Sequence, residues 1–268
     1  MSSPRLDGAA LVLGASSGFG AAVCVALARA GMDVAGVHLD RRSTLHKADE
    51  VREAVRAHGR EAWFFNVNAA DDAKREATLD ALREHLDARG TNARVLVHSL
   101  AFGSLRRVVA APGDSSPTLT RMQVEMTLDV MASSLLYWTQ GMLSRGMLRP
   151  HGRVFAMTSE GARRAWPGYG AVGVAKAALE AMVRQLAVEG AGHGFTANAL
   201  CAGAARTPAV TAIPDHEALL ARALASNPHG RLTTPDDVAR AVVALSLPET
   251  DWINGNVIRV DGGESAAG

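Results

Sequence analysis

Tyr169 and Lys176 stand seven residues apart in the run YGAVGVAKAALEAMVRQLAVE. Seven residues is close to two helical turns, so on a helix both side chains point the same way. A phenol and an ammonium on one face can share a site, the first as proton donor and the second as its electrostatic support. The same pair can also be a polar stripe on a surface helix. The elements that must position them decide between the two.

Those elements alternate. ALVLG (10–14) is a short apolar run before a glycine-rich turn, and AAVCVALARAG (21–31) is an apolar helix ended by glycine. DVAGVHL (33–39) reads as a second strand, and STLHKADEVREAVRAHG (43–59) as an amphipathic helix capped by Ser43 and closed by Gly59. EAWFFNV (61–67), AADDAKREATLDALREHLDARG (69–90) and ARVLVHS (93–99) continue as strand, helix and strand. RVFAMTS (153–159), FTANALC (195–201) and NVIRVDG (256–262) supply three later strands. Such alternation demands right-handed crossovers and a parallel sheet covered on both faces. The expectation is a single α/β domain over residues 1–268, a doubly wound, Rossmann-like parallel sheet of about seven strands. SSPTLTRMQ (115–123) and residues 208–228 are expected as mobile loops, the second as a substrate lid.

Composition narrows the function classes. The 268 residues are 48% hydrophobic and 21% charged with a net charge of +1, which points to no nucleic-acid partner and no anionic membrane surface. Cys24 and Cys201 lie in apolar runs without metal-ligand spacing, so no metal is expected and the thiols read as buried in a reducing compartment. The polar start MSSPRLDG does not read as a signal peptide, and no window nears the roughly 20 apolar residues of a membrane span. A cytoplasmic location is expected.

The turn LGASSGFG (13–20) directly follows the first strand and opens the first helix. Gly14 permits the tight turn, Gly18 lets backbone approach a diphosphate, and Gly20 lets helix pack on strand. The helix N–H groups and dipole then face the phosphates, with Ser16, Ser17 and Phe19 in the same turn. At the end of the second strand, HLDRR (38–42) offers Leu39, Asp40, Arg41 and Arg42. An acidic residue there accepts ribose hydroxyls and an arginine accommodates a 2′-phosphate. Both are present, and the balance leans to NADPH with NADH open.

Together these segments resemble the short-chain dehydrogenases/reductases along nearly the whole chain. The resemblance implies that Asn66 and Val67 contact adenine, and that Ser99, Leu100 and Ala101 stand where the commonest pattern has Asn-Ala-Gly. It makes Ser159 a catalytic serine, with a strand-end hydroxyl capping backbone as the alternative. It also makes AGAARTP (202–208) the nicotinamide loop, with Ala205 and Thr207 as contacts, and gives Lys176 the nicotinamide ribose. GRLTTPDDVARAVVAL (230–245) and INGNVIRVDGG (253–263) resemble the C-terminal segments of that family.

The departures are informative. The commonest pattern places its tyrosine four residues before the lysine, where this chain has Val172. The longer spacing, with VHSLAFG (97–103), resembles the enoyl-acyl-carrier-protein reductases, and GYGAVGVAKAALEAMVRQLAVE (168–189) is similar to their NADPH-dependent branch called type III. Reducing a 2-enoyl thioester delivers hydride to C3 while charge develops on an oxygen two carbons away. The donor must stand farther from the nicotinamide, and three residues along a helix shift it by about 4–5 Å. Leu13 replaces the usual threonine, and Met131 stands at the helix asparagine that serves a proton relay in carbonyl-reducing members.

The implied activity is enoyl thioester reduction on acyl carrier protein or coenzyme A. A carbonyl reductase or alcohol dehydrogenase, or a catalytically silent dinucleotide-binding regulator, are the alternatives. Glu160, Arg163 and Arg164 flank the expected mouth of the site, as solvated surface charges or as a greeting for an acidic carrier. The helix at 168–189 is apolar on several faces and must be covered on several sides. With LLYWTQGML (135–143) it suggests a helix-bundle dimer interface, and the resemblance implies a homotetramer.

Overall fold

The structure, a computed structural model, describes residues 6–267. The strands are β1 (Ala9–Leu13), β2 (Asp33–His38), β3 (Ala62–Asn66), β4 (Ala93–His98), β5 (Leu148–Thr158), β6 (Thr196–Ala202) and β7 (Val257–Val260). The helices are α1 (Gly18–Ala30), α2 (Leu45–Arg56), α3 (Asp72–Arg89), α4 (Arg121–Leu128), α5 (Ser134–Ser144), α6 (Gly170–Glu189), α7 (Pro208–Thr211), α8 (His216–Ser226), α9 (Pro235–Leu245) and α10 (Glu264–Ala267). All seven strands pair in parallel in the order β3-β2-β1-β4-β5-β6-β7. The order reverses between β1 and β4, the point at which a sheet of this kind leaves a crevice beyond the carboxyl ends of its strands.

Apolar strands explain the two covered faces. β1, β2 and β6 are buried almost throughout. One face packs Leu79, Leu82 and Leu86 of α3, Trp138 and Met142 of α5, and Leu179 and Val183 of α6. The other packs Val23 and Leu27 of α1, Val55 of α2, and Val238 and Val242 of α9. Truncating any one of these leucines to alanine should cost about 2–5 kcal/mol. Trp138 is fully buried, and its Nε1 donates to the Ala69 carbonyl at 2.8 Å, tying α5 to the chain leaving β3.

Local signals set the ends. Asp71 caps α3 by accepting from the Lys74 N–H, and Thr120 with Gln123 forms a reciprocal cap on α4. α2 differs from expectation. Ser43 does not cap it, because a turn at Arg41–Leu45 already occupies the backbone and Thr44 Oγ1 donates to the Arg41 carbonyl at 3.3 Å. β5 starts earlier than the sequence implied, and Leu148 already pairs with Ala93. The expected loop at 208–228 contains α7 and α8, and the loop expected at 115–123 ends where α4 begins at Arg121. Both cysteines are buried and free. Among the described residues no helix is long and apolar enough to cross a membrane, and no cluster has the makings of a metal site. The first residues of MSSPRLDG, on which the signal-peptide reading rests, lie partly outside the described residues.

Candidate active site

The crevice begins at the glycine turn. Gly14 has φ +88°, and a β-carbon on it would come within 2.4 Å of the Ser99 carbonyl oxygen. Ser99 in turn donates its N–H to the Leu13 carbonyl at 2.8 Å, so the exits of β1 and β4 are bound together. A β-carbon on Gly20 would meet the Gly14 carbonyl oxygen at 2.0 Å, so α1 can start this close to β1 only with glycine there. Ser17 occupies the N-cap of α1 without capping it by its side chain. The first N–H groups of α1 are therefore open to an anion, which fits the diphosphate of a dinucleotide. Phe19 packs on the α1 face of the core. Across the turn, Thr207 caps α7 and lies 3.5 Å from where a Gly18 β-carbon would be. Ala205 is fully buried beside it and accepts the Thr207 N–H.

Asp40 stands just past β2. Burial raises its carboxyl pKa, but hydrogen bonds from Ser16, Thr44 and His38 outweigh that and hold it below the usual carboxylate value. Leu39, Arg41 and Arg42 are exposed. Asn66, at the end of β3, gives its side chain to the main chain of Asp40, accepting at 2.9 Å and donating at 3.0 Å. Val67 donates to the His38 carbonyl at 2.8 Å.

Tyr169 and Lys176 both belong to α6, the first at its start and the second within it. Tyr169 is the N-cap of α6, and its carbonyl accepts the first helical bond, from Gly173. Its ring meets Trp166 edge-on at 5.7 Å. It also rests against Gly161, where a β-carbon would lie 2.3 Å from Tyr169 Cε1 and 3.2 Å from Ser159 Oγ. Burial raises the Tyr169 pKa, against a smaller lowering by Ser159, so the phenol keeps its proton. Ser159 Oγ is buried, makes no capping bond and completes no hydrogen bond of good geometry. The alternative of a backbone-capping serine is therefore not what the structure has.

Lys176 is buried, and its Nζ donates to the Met157 carbonyl at 2.6 Å and the Leu100 carbonyl at 3.3 Å. An ammonium carries three donors, which leaves one for a ligand. Burial pushes its pKa down to about 8. Ser99 is partly buried and Ala101 exposed where the chain leaves β4.

Beside the site the helix is irregular. Asp129–Ser133 form one π-turn between α4 and α5, and Met131 sits in it. Met131, Val172 and Ala175 share one buried cluster, with Tyr169 packed at its side. Below it, Ser134 Oγ donates to the Val130 carbonyl at 2.8 Å and so accepts from His98 Nε2, also at 2.8 Å. Glu160 lies 3.8 Å from Arg164 and 3.4 Å from Arg259, and Arg163 lies 3.5 Å from Glu180. These mouth charges are thus engaged with one another.

Gly161, His38 and the His98–Ser134 pair were not singled out from the sequence. The only signal for His98 was its place in VHSLAFG, and nothing marks Gly161 until the tyrosine ring is laid on it.

Comparison with known proteins agrees with this geometry. A family model described as enoyl-(acyl carrier protein) reductase matches residues 14–265. The enoyl-(acyl-carrier-protein) reductase (NADH) FabI of Salmonella typhimurium is 33% identical over 196 residues, 73% of each chain. An acetoacetyl-CoA reductase of Rhizobium meliloti is 30% identical over 257 residues, 95% of this chain and 97% of its own. A short-chain dehydrogenase of Burkholderia cenocepacia, solved with NADP, superposes with a TM-score of 0.81 at 27% identity, covering 97% of this chain and 99% of that one. With its switch-point glycine turn, its Tyr–Lys pair and a family match over nearly its full length, the chain belongs to the enoyl-(acyl carrier protein) reductase family of the short-chain dehydrogenases/reductases and is an oxidoreductase of that superfamily.

Proposed function

We propose that the chain reduces the 2,3 double bond of an acyl thioester, carried on acyl carrier protein or coenzyme A, in fatty-acid biosynthesis. The observation that carries this reading is where the phenol stands. Tyr169 caps α6, while the position four residues before Lys176 is Val172, buried in an apolar cluster with Met131. No proton donor occupies the place from which a carbonyl beside the nicotinamide is served.

A reduced nicotinamide, NADPH or NADH, supplies hydride to C3 of the enoyl group when bound. Negative charge then gathers on the thioester oxygen. The protonated phenol of Tyr169 donates to that oxygen and passes its proton to it. The resulting enol tautomerises to the saturated thioester by gaining a solvent proton at C2 as its O–H proton returns to solvent, and solvent reprotonates the phenolate. Lys176, held by the Met157 and Leu100 carbonyls, keeps its third N–H for a ribose hydroxyl, and its charge lowers the cost of the phenolate. The unpartnered Ser159 hydroxyl supports the phenol. Residues 208–228, with α7 starting against the glycine turn, serve as the lid. Tyr137, Val174 and Val188 leave apolar surface exposed on α5 and α6, which a homotetramer would cover. We place the reaction in the cytoplasm.

Turnover of a crotonyl thioester with a C4-deuterated reductant tests the reading. Mass and NMR analysis should find one deuterium at C3 of a saturated product. Deuterium found only on the carbinol carbon of a product made from an acetoacetyl thioester would overturn it. That second reading, a carbonyl reductase, is favoured by the acetoacetyl-CoA reductase that aligns over 95% of this chain.

A further inference from the structure

β2 and β3 pair so that His38 faces Asn66 in register, at the last position of both strands. Both side chains turn to the same residue. His38 is buried with its ring 6.1 Å from that of Phe64, and its Nδ1 donates to Asp40 Oδ2 at 2.9 Å. Asn66 Oδ1 accepts the Asp40 N–H at 2.9 Å, and Asn66 Nδ2 donates to the Asp40 carbonyl at 3.0 Å. Main chain and carboxylate of Asp40 are thus fixed from two strand ends. Asp40 follows the carboxyl end of β2, where the dinucleotide crevice of such a sheet lies, and Ser16 in the glycine turn helps hold its carboxyl below the usual carboxylate value.

We infer that His38 and Asn66 are positioning residues for cofactor choice, holding the Asp40 carboxylate where it accepts the adenosine ribose hydroxyls of NADH and repels the 2′-phosphate of NADPH. A carboxylate free to rotate could turn from a phosphate and let the adjacent Arg41 or Arg42 meet it. Asp40, held at its N–H, its carbonyl and its Oδ2, cannot turn its carboxylate away without breaking the His38 hydrogen bond. The clamp therefore converts a sequence that offers both charges into one that presents the negative charge to the ribose. It does not rest on which acyl substrate is used.

Binding alone tests it, by nucleotide fluorescence titration without any acyl substrate. The wild-type chain should bind NADH at least about tenfold more tightly than NADPH, the scale of one like-charge contact at a protein surface. His38→Phe keeps a ring against Phe64 but removes the donor, and Asn66→Ala frees the main chain. Each should shrink the NADPH-to-NADH ratio of Kd severalfold, and Asp40→Ser should abolish it. A general loss of structure would weaken both nucleotides alike and leave the ratio unchanged. Tighter wild-type binding of NADPH overturns the inference. So does an unchanged ratio in both His38→Phe and Asn66→Ala beside a collapsed ratio in Asp40→Ser. Neither result bears on the enoyl reading, which a substrate assay decides separately.

Discussion

Met131 and Val172 pack in one buried cluster, against a Gly103 so close that a β-carbon on it would come within 3.0 Å of both Met131 Sδ and Val172 Cγ2. By family resemblance these two positions hold an asparagine and a tyrosine in carbonyl-reducing members. Here they are thioether and aliphatic, and the tyrosine stands at position 169, about one helical turn before Val172. The π-turn that holds Met131 is followed directly by Ser134, whose Oγ donates to the Val130 carbonyl four residues back.

Tyr169→Phe should lower kcat by roughly a hundredfold or more, the usual worth of a general acid, with reductant Kd unchanged. Lys176→Ala should lower kcat and weaken the reductant together if Lys176 serves both. Steady-state rates with a fluorescence titration separate the two. An unchanged rate for Tyr169→Phe would remove that residue from the chemistry.

Gly161→Ala tests the seat of the ring. Its β-carbon would overlap Tyr169 Cε1 at 2.3 Å, so the ring must move. A displacement of about 1 Å should cost roughly a hundredfold in kcat while reductant binding persists. Gly20→Ala should do the reverse, since its β-carbon meets the Gly14 carbonyl at 2.0 Å and distorts the phosphate turn.

The alkaline limb of the rate profile should belong to Lys176. Burial sets its pKa near 8, whereas burial raises that of Tyr169, so as pH climbs the ammonium is lost before the phenol's proton. The rate should fall as pH rises through about 8. In Lys176→Arg, whose guanidinium does not titrate in this range, that limb should move to higher pH.

His98 should shape stability rather than rate. Burial first, and the Lys176 charge second, lower its pKa to about 3 from an ordinary 6.5. Between those values the unfolded chain binds a proton that the folded chain refuses, so the folded state loses stability as pH falls through that window. His98→Gln should flatten the dependence of unfolding free energy on pH between about 6.5 and 3, whatever its effect at neutral pH. Urea titrations across that range give the slope.

Much of this was legible in the residues. Period and punctuation gave the alternation of β1 to β4, because apolar strands and glycine-closed helices are local patterns. The Tyr169–Lys176 pair was legible for the same reason. What was not legible depends on distant chain segments meeting. His38, Asp40 and Asn66 join only through the β2–β3 register, and Gly161 matters only once Tyr169 is laid on it. The start of β5 was missed because Pro150 breaks the apolar run, although Leu148 still finds Ala93 as its partner.

The central claim is tested most directly by following loss of reductant absorbance with crotonyl and 2-octenoyl thioesters beside an acetoacetyl thioester, at equal enzyme. The placement of Tyr169 predicts turnover of the enoyl thioesters and little of the ketone. Turnover of acetoacetyl thioester alone would contradict it and make this chain a ketoreductase with a displaced tyrosine.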